Sequence, residues 1–301
     1  MNSSKGKTAG AYILAGTSVT ARTLEPALYL VATPIGNLGD ITIRALEILA
    51  AADMIACEDT RTSRVLLDRY GIRTKTVSYH DHNQAVAGVR LIETLQAGKS
   101  VALITDAGTP LVSDPGERLA AEARAAGIRV VPIPGASAVL AALTAAGLPA
   151  SRFFFEGFLP AKSGQRRARL ASLASLDATL IFYEGPHRLS ETLADMSEVL
   201  GAAREAAVCR ELTKTFEEVI VLPLGPLSVR YPADANVKGE IVIVVEPPKE
   251  AGTSAADVDA LLQSLTKEMS ASKAAAEASR LTGISKTDLY QRLLDAKKNG
   301  A

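Results

Sequence analysis

Between Leu28 and Pro149, short apolar runs and helix-periodic stretches take turns along the chain, and this alternation constrains the fold more than any other feature. Leu28–Ile35, Met54–Glu58, Val101–Thr105 and Arg129–Ile133 read as strands, short and mostly apolar, as strands of a buried parallel sheet are. Ile41–Ala52, a stretch ending at Tyr70, Asn83–Gln96, Pro115–Ala126 and Ser137–Ala146 read as helices. Asp40 stands where it would cap the first of these, and Gly71, Gly98, Gly127 and Gly147 stand where glycine ends a helix. Strand and helix in alternation predict a mostly parallel, doubly wound α/β sheet over residues 28–149.

After Pro149 the texture changes. Phe153–Phe158, Thr179–Tyr183, Ala206–Arg210, Glu217–Leu222 and Glu240–Val245 read as strands, with a long helix over Leu189–Leu200. The last two strands follow each other across Pro223–Asn236 with no helix expected between them, which predicts a mixed sheet and a second α/β domain over residues 150–248. Pro247-Pro248 breaks the chain, residues 251–254 read as a linker, and a helical tail is expected over 255–301. A length of 301 residues suits two domains and a small appendage. The first 27 residues, rich in Ala, Ser, Thr and Gly, read as a disordered extension, and their one apolar patch, Ala11 to Gly16, is too short and polar for a secretory signal. No apolar run reaches the ~18 residues of a membrane span, so the cytoplasm is the expected location and no membrane partner is expected. Cys57 and Cys209 lie far apart inside apolar runs and read as buried free thiols, with no spacing that would hold a metal.

In a parallel sheet, ligands gather at the carboxyl ends of the strands. Here those ends run into Thr33-Pro34-Ile35-Gly36-Asn37-Leu38-Gly39-Asp40, Glu58-Asp59-Thr60-Arg61, Asp106-Ala107-Gly108-Thr109-Pro110 with Ser113-Asp114-Pro115-Gly116, and Pro134-Gly135-Ala136-Ser137-Ala138. Small residues let backbone groups approach a ligand closely, and an acid such as Asp106 can accept hydrogen bonds from ribose hydroxyls. There is no G-x-x-x-x-G-K-[ST] and no G-x-G-x-x-G opening a helix, so the loops suit a nucleoside without a polyphosphate. Any one of them alone is equally explained as a tight turn between strand and helix.

The runs LYLVATPIGNLGDIT, EDTRTSRVLL, LITDAGTPLVSDPG and PGASAVLAAL resemble the first domain of tetrapyrrole-methylase-type proteins. FEGFLPAKSGQRRARL, IFYEGPHRL, CRELTKTFEE and KGEIVIVVE extend the resemblance to about residues 28–247. The similarity is greatest to the branch that methylates the ribose 2′-oxygen of a cytidine in the decoding region of small-subunit (16S) rRNA. It implies two α/β domains with S-adenosyl-L-methionine folded between them, an rRNA substrate within the small ribosomal subunit, and a homodimer. Carried over residue by residue, the cofactor contacts would be Pro34, Asp106, Ala107, Gly108, Thr109, Ser137 and Ala138, closed over by Phe182, Leu212 and Glu240.

Methyl transfer to a hydroxyl needs alignment and a proton acceptor. Alignment can supply ~7–11 kcal/mol, and a general base ~10²–10⁴ in rate. Candidates for the acid–base residue are Glu58, Asp59, Glu184, His187, Glu211 and Lys214, and the sequence leaves the choice open. His80 and His82 offer a metal or RNA contact, though a surface turn explains them as well. In a chain of net charge zero, Lys162, Arg166, Arg167 and Arg169 form a run without acids. It is expected as a loop on the cleft side that positions RNA phosphates, with Arg61 as a further phosphate contact; a solvated helix start is the plainer reading. Ser272 to Leu294 is spaced like a helix-turn-helix and carries Lys273, Arg280, Lys286 and Arg292, which suits RNA or a helical contact with a partner subunit. Competing readings are methylation of a tetrapyrrole or similar metabolite, a nucleoside-sensing DNA-binding regulator, and a nucleoside-binding protein without catalysis.

Overall fold

The computed structural model describes residues 10–248 and 255–299; the expected linker at 251–254 lies outside the described residues. In chain order the elements are β1 (Ala11–Leu14), β2 (Thr17–Thr20), β3 (Leu28–Val31), α1 (Ile43–Ala51), β4 (Met54–Cys57), α2 (Thr60–Arg69), β5 (Thr76–Ser78) and α3 (Gln84–Gln96). There follow β6 (Val101–Ile104), α4 (Glu117–Ala125), β7 (Val130–Ile133), α5 (Ala138–Ala146), β8 (Phe153–Phe158), α6 (Ser163–Leu173), β9 (Thr179–Glu184) and α7 (Leu189–Leu200). The chain continues through β10 (Glu205–Arg210), β11 (Glu218–Pro223), α8 (Leu224–Arg230), β12 (Ile241–Val245), α9 (Ala255–Glu268), α10 (Ala271–Thr282) and α11 (Lys286–Asn299).

The first sheet has the order β5-β4-β6-β3-β7 and is parallel throughout. Its strands are buried on both faces, which is why they read as continuous apolar runs. Tyr29, Val31, Ile55, Cys57, Ala102 and Ile104 pack with α1 on one side. Leu28, Ala56, Val101 and Leu103 pack with residues of α3 and α4 on the other. The second sheet, β11-β10-β12-β9-β8, is mixed: β8 pairs parallel with β9, and the other pairs are antiparallel. Helix α5 belongs to the first half of the chain but packs Val139, Ala142, Leu143 and Ala146 against Ile181, Ala207, Cys209 and Val244 of the second sheet. That packing holds the strand ends of the first sheet beside the second. Helices α9 to α11 close around a core of their own, built from Val258, Leu262, Ala274, Ala275, Ala278, Leu289 and Leu293.

Four details differ from the sequence reading. Residues 11–20, expected to be disordered, form an antiparallel hairpin in which Tyr12 is buried and Ile13 donates its N–H to the Tyr70 carbonyl at 2.8 Å. Ala15 and Gly16 both have positive φ (49° and 80°), the two-residue turn that matches strand twist. Residues 1–9 of that segment lie outside the described residues. Thr42, not Asp40, caps α1, its side chain accepting from Ala45 N at 3.1 Å; Asp40 ends a 3-10 turn capped by Asn37. A helix, α8, does stand between the last two strands, and the short edge strand β5 was not expected.

Candidate functional site

The carboxyl ends of the first sheet are stitched to one another. Thr33 and Gly108 exchange backbone hydrogen bonds at 2.8 and 3.1 Å, and the Thr33 hydroxyl donates to the Thr105 carbonyl at 3.1 Å. The Thr109 hydroxyl reaches the Ala136 carbonyl at 3.2 Å, and Ser137 caps α5. Three loops expected to meet a ligand therefore form one surface.

Two cavities open on it. The first, about 320 Å3, is lined by Ala107, Gly108, Thr109, Ser137 and Ala138 from the first sheet and by Tyr183, Leu212 and Glu240 from the second. The second, about 280 Å3, is lined by Thr33, Pro34, Asp106, Ala107 and Lys214, and shares Ile35, Ala107 and Glu240 with the first. Nine of the ten residues expected to touch the cofactor thus line one cavity or the other. Phe182 is the exception: alternation along β9 buries its side chain on the face away from Ile181 and Tyr183, and Tyr183 lines the cavity instead. Tyr183 meets Phe155 and Phe158 edge to face, at ring separations of 4.9 and 5.6 Å, which gives the cavity an aromatic wall. Cys209 lines the same cavity, and burial pushes its thiol up to about 12, so it is inert lining. Cys57 is also a buried free thiol.

Most of the expected acid–base residues prove to be committed. The Asp59 carboxylate accepts from Arg61 through both the backbone N–H and the guanidinium, each at 2.7 Å, and these bonds hold its pKa down at about 2. That ion pair lies at the start of α2, where Asp59 is the cap. Glu184 is buried with both oxygens engaged: Oε1 accepts from Gly185 N at 2.8 Å, and Oε2 from the Thr192 hydroxyl at 2.6 Å. Lys214 Nζ donates to Glu211 and Glu240 at 2.8 and 2.9 Å, and although burial works to lower its pKa, those two carboxylates hold it above the ordinary value. It stays charged and cannot accept a proton. His187 is exposed and lines neither cavity. Glu58 is half-buried outside both cavity linings, its pKa raised by burial and then by Asp106 and Asp81. Asp114 was not among the expected candidates, yet it lines the first cavity.

The basic run is not a loop. Ser163 begins α6, and three of the four cations turn to acids from other elements. Arg166 is 1% exposed, bonded to Asp195 at 2.6 Å, so it cannot meet a phosphate. Arg167 pairs with Glu198, and Arg169 makes a two-pronged pair with Glu156 at 2.6 Å. Lys162 is exposed and has no ion pair among the described residues. In the tail, Arg280 pairs with Glu277 and Arg292 lies 3.9 Å from Asp259, whereas Lys273 and Lys286 are exposed. His80 and His82 lie in a turn closed by Asn83, whose side chain accepts from His80 N at 2.9 Å and donates to Ser78 O at 3.1 Å. Among the described residues no group of three His, Cys, Asp or Glu side chains is placed to hold a metal, and no helix is long and apolar enough to cross a membrane.

Residues 27–228 match the model of the tetrapyrrole (corrin/porphyrin) methylases, and residues 252–297 match the RsmI C-terminal HTH domain. The chain is 62% identical over 281 residues to the ribosomal RNA small subunit methyltransferase I of Mesorhizobium japonicum, covering 93% of this chain and 96% of that one. It is 50% identical over 269 residues to the protein of the same name from Vibrio cholerae, covering 88% and 93%. The solved structure of a diphthine synthase superposes with a TM-score of 0.58 at 19% identity, over 73% of this chain and 89% of that one. A uroporphyrin-III C-methyltransferase from Thermus thermophilus, solved with S-adenosyl homocysteine, superposes at 0.53 and 18% identity, over 73% and 97%. In sequence as in fold, the chain belongs to the tetrapyrrole methylase family, in the branch that ends in the RsmI C-terminal domain.

Proposed function

We propose that this chain is an S-adenosyl-L-methionine-dependent methyltransferase that methylates the ribose 2′-oxygen of a cytidine in the decoding region of 16S rRNA. The observation that carries the reading is the pair of cavities joined at Ile35, Ala107 and Glu240. A nucleoside-sized, largely apolar cavity with an aromatic wall opens on a second, more open one, as transfer between two bound molecules requires. Near-full-length identity to proteins named as methyltransferases of small-subunit rRNA supports the substrate.

The residues present suit the cofactor. Ala107, Gly108 and Thr109 line the first cavity, Ser137 and Ala138 open α5 beside it, and Asp106 lines the second cavity next to the shared Ala107. When bound, the cofactor supplies a methyl group on a sulfonium. The chain's part is to hold that group in line with the acceptor oxygen, to exclude water with Tyr183, Phe158 and Leu212, and to take the proton. Alignment is the larger share, ~7–11 kcal/mol against about 3–5 kcal/mol for a base. The RNA is held by local cations in a neutral protein, with Lys162, Lys273 and Lys286 exposed and in no ion pair among the described residues. Cytoplasmic action on the small ribosomal subunit, as a homodimer, completes the reading. Edge strand β11 supports the dimer, since Val221 in it and Phe216 just before it are exposed, as is Val229 of the following helix α8.

The test is to incubate the protein with labelled S-adenosylmethionine and small subunits lacking their natural methylations, with a tetrapyrrole in parallel. Nucleoside mass spectrometry is expected to find new 2′-O-methylcytidine. Label in the tetrapyrrole alone, or in neither, overturns the reading.

A further inference from the structure

Four acids line the two cavities: Asp106, Asp114, Glu184 and Glu240. Two are committed to the protein itself, and Asp106 is engaged through one oxygen. Asp106 accepts from Asp59 N at 3.2 Å, Glu184 is engaged through both oxygens, and Glu240 holds Lys214. Asp114 has no ion pair among the described residues; the groups around it are the Thr105 side chain and the acids Glu58 and Asp106. The backbone is bent to put it there. Leu111 (φ 75°) and Ser113 (φ 62°) are left-handed without being glycine, and Gly116 (φ 131°) completes the turn into α4. Non-glycine residues hold such conformations only where the surroundings over-determine them, and they cluster at functional sites.

We propose that Asp114 is the catalytic base, its carboxylate receiving the proton of the acceptor ribose hydroxyl. The inference rests on the methyltransferase reading above. As the oxygen–carbon bond forms, the sulfur–carbon bond breaks and its electron pair stays on sulfur, leaving a neutral thioether. The hydroxyl proton passes to Asp114 and from there to water.

The surroundings suit the task. Burial, then the charges of Glu58 and Asp106, push the Asp114 carboxyl up to about 6, against a smaller opposing hydrogen bond from Thr105. Glu184 lines the same cavity, and burial, then Asp114 and Glu240, push the Tyr183 phenol up to about 12, so it stays neutral. A carboxylate with this pKa is mostly ionised at neutral pH yet a stronger base than an ordinary aspartate, which favours general-base work.

The experiment compares wild type, Asp114→Asn and Glu58→Gln on unmodified small subunits across pH, with S-adenosylhomocysteine binding measured by calorimetry. Asp114→Asn is expected to lose roughly 10²–10⁴-fold in kcat while binding S-adenosylhomocysteine within about threefold of wild type. The wild-type rate should fall on acidification with a limb near pH 6 that Asp114→Asn lacks. Glu58→Gln removes a neighbouring negative charge, so its limb should move to lower pH. The proposal is overturned by a kcat within about threefold of wild type in Asp114→Asn, by a limb that survives there, or by a limb unmoved in Glu58→Gln. A loss of S-adenosylhomocysteine binding beyond about tenfold would make Asp114 a cofactor ligand instead and overturn it too. Failure of the wild type to make 2′-O-methylcytidine would strike the underlying reading rather than the residue.

Discussion

At the scale of single residues, the chemistry of this chain depends on which charged groups are already spoken for. Arg166 makes the point. In sequence it is one of four cations in a run without acids, and nothing local marks it as structural. Its partner Asp195 lies 29 residues further on, brought to it by the packing of α6 and α7. Replacing Arg166 with Ala leaves that carboxylate buried and unpaired, and the expected cost is about 3–5 kcal/mol of stability, read from urea unfolding. A change within about 1 kcal/mol would mean that the pair is solvated, as surface ion pairs are. Asp114 presents the opposite case, an acid that the fold leaves poorly compensated. Its folded pKa of about 6 stands above the ordinary 3.8, so the native state favours the protonated form. The linked stability is present below about pH 4 and is lost as pH rises through about 6. Asp114→Asn should therefore melt above wild type at about pH 8, with the gap closing near pH 4. A variant that melts lower at the alkaline end would show that the carboxylate is not desolvated.

At the scale of elements, what the sequence made legible and what it hid have separate physical causes. The strands of the parallel sheet were readable because burial on both faces demands continuous apolar runs. Helix α8 was not readable: Gly225 and Pro226 fall within its seven residues, and their propensities argue against a helix. Pro226 is tolerated because it lies in the first turn, where backbone N–H groups have no partner in the helix. Edge strand β5 has three residues, too few for an alternating pattern to register. The terminal hairpin was hidden by composition, although its Ala-Gly turn between β-branched and aromatic residues was a usable signal. The ligand-facing loops were legible as a set, since each follows a strand of one sheet edge. The choice of base among them was not, because it depends in part on contacts that only the fold makes, Lys214 with Glu240 and Asp59 N with Asp106. The loop that carries Asp114 yields a prediction of its own. At Gly116 an added Cβ would lie 2.7 Å from Leu103 Cδ2 and 2.9 Å from Leu111 Cδ1, on a backbone at φ 131°. Gly116→Ala should lose at least about 1–3 kcal/mol in chemical denaturation, and should lower kcat by displacing Asp114. Unchanged stability would mean that the turn relaxes freely and holds nothing in place.

At the scale of the whole molecule, a net charge of zero and the internal pairing of so many arginines limit how the protein can hold RNA. Each phosphate neutralised by a cation adds to the salt dependence of binding, so the slope of log affinity against log salt counts the contacts. With Lys162, Lys273 and Lys286 as the exposed cations argued for phosphate contact, only a few phosphates are available to neutralise, and the slope should be shallow. The tail is a helical unit with its own core, and Ala274, Ala275 and Ala278 are buried in it, so Lys273 and Lys286 can be reversed in sign without opening it. Lys273→Glu with Lys286→Glu should raise KM for the small subunit, flatten the salt slope by about two, and leave S-adenosylhomocysteine affinity where it was. Lys162→Glu, just ahead of α6, should act in the same direction with a change of about one, because it removes one cation rather than two. If neither variant changes the slope, the contacts to the subunit are not phosphate contacts of these lysines. Exposed apolar residues such as Tyr290 and Leu294 of α11 would then be the next surface to test against the subunit.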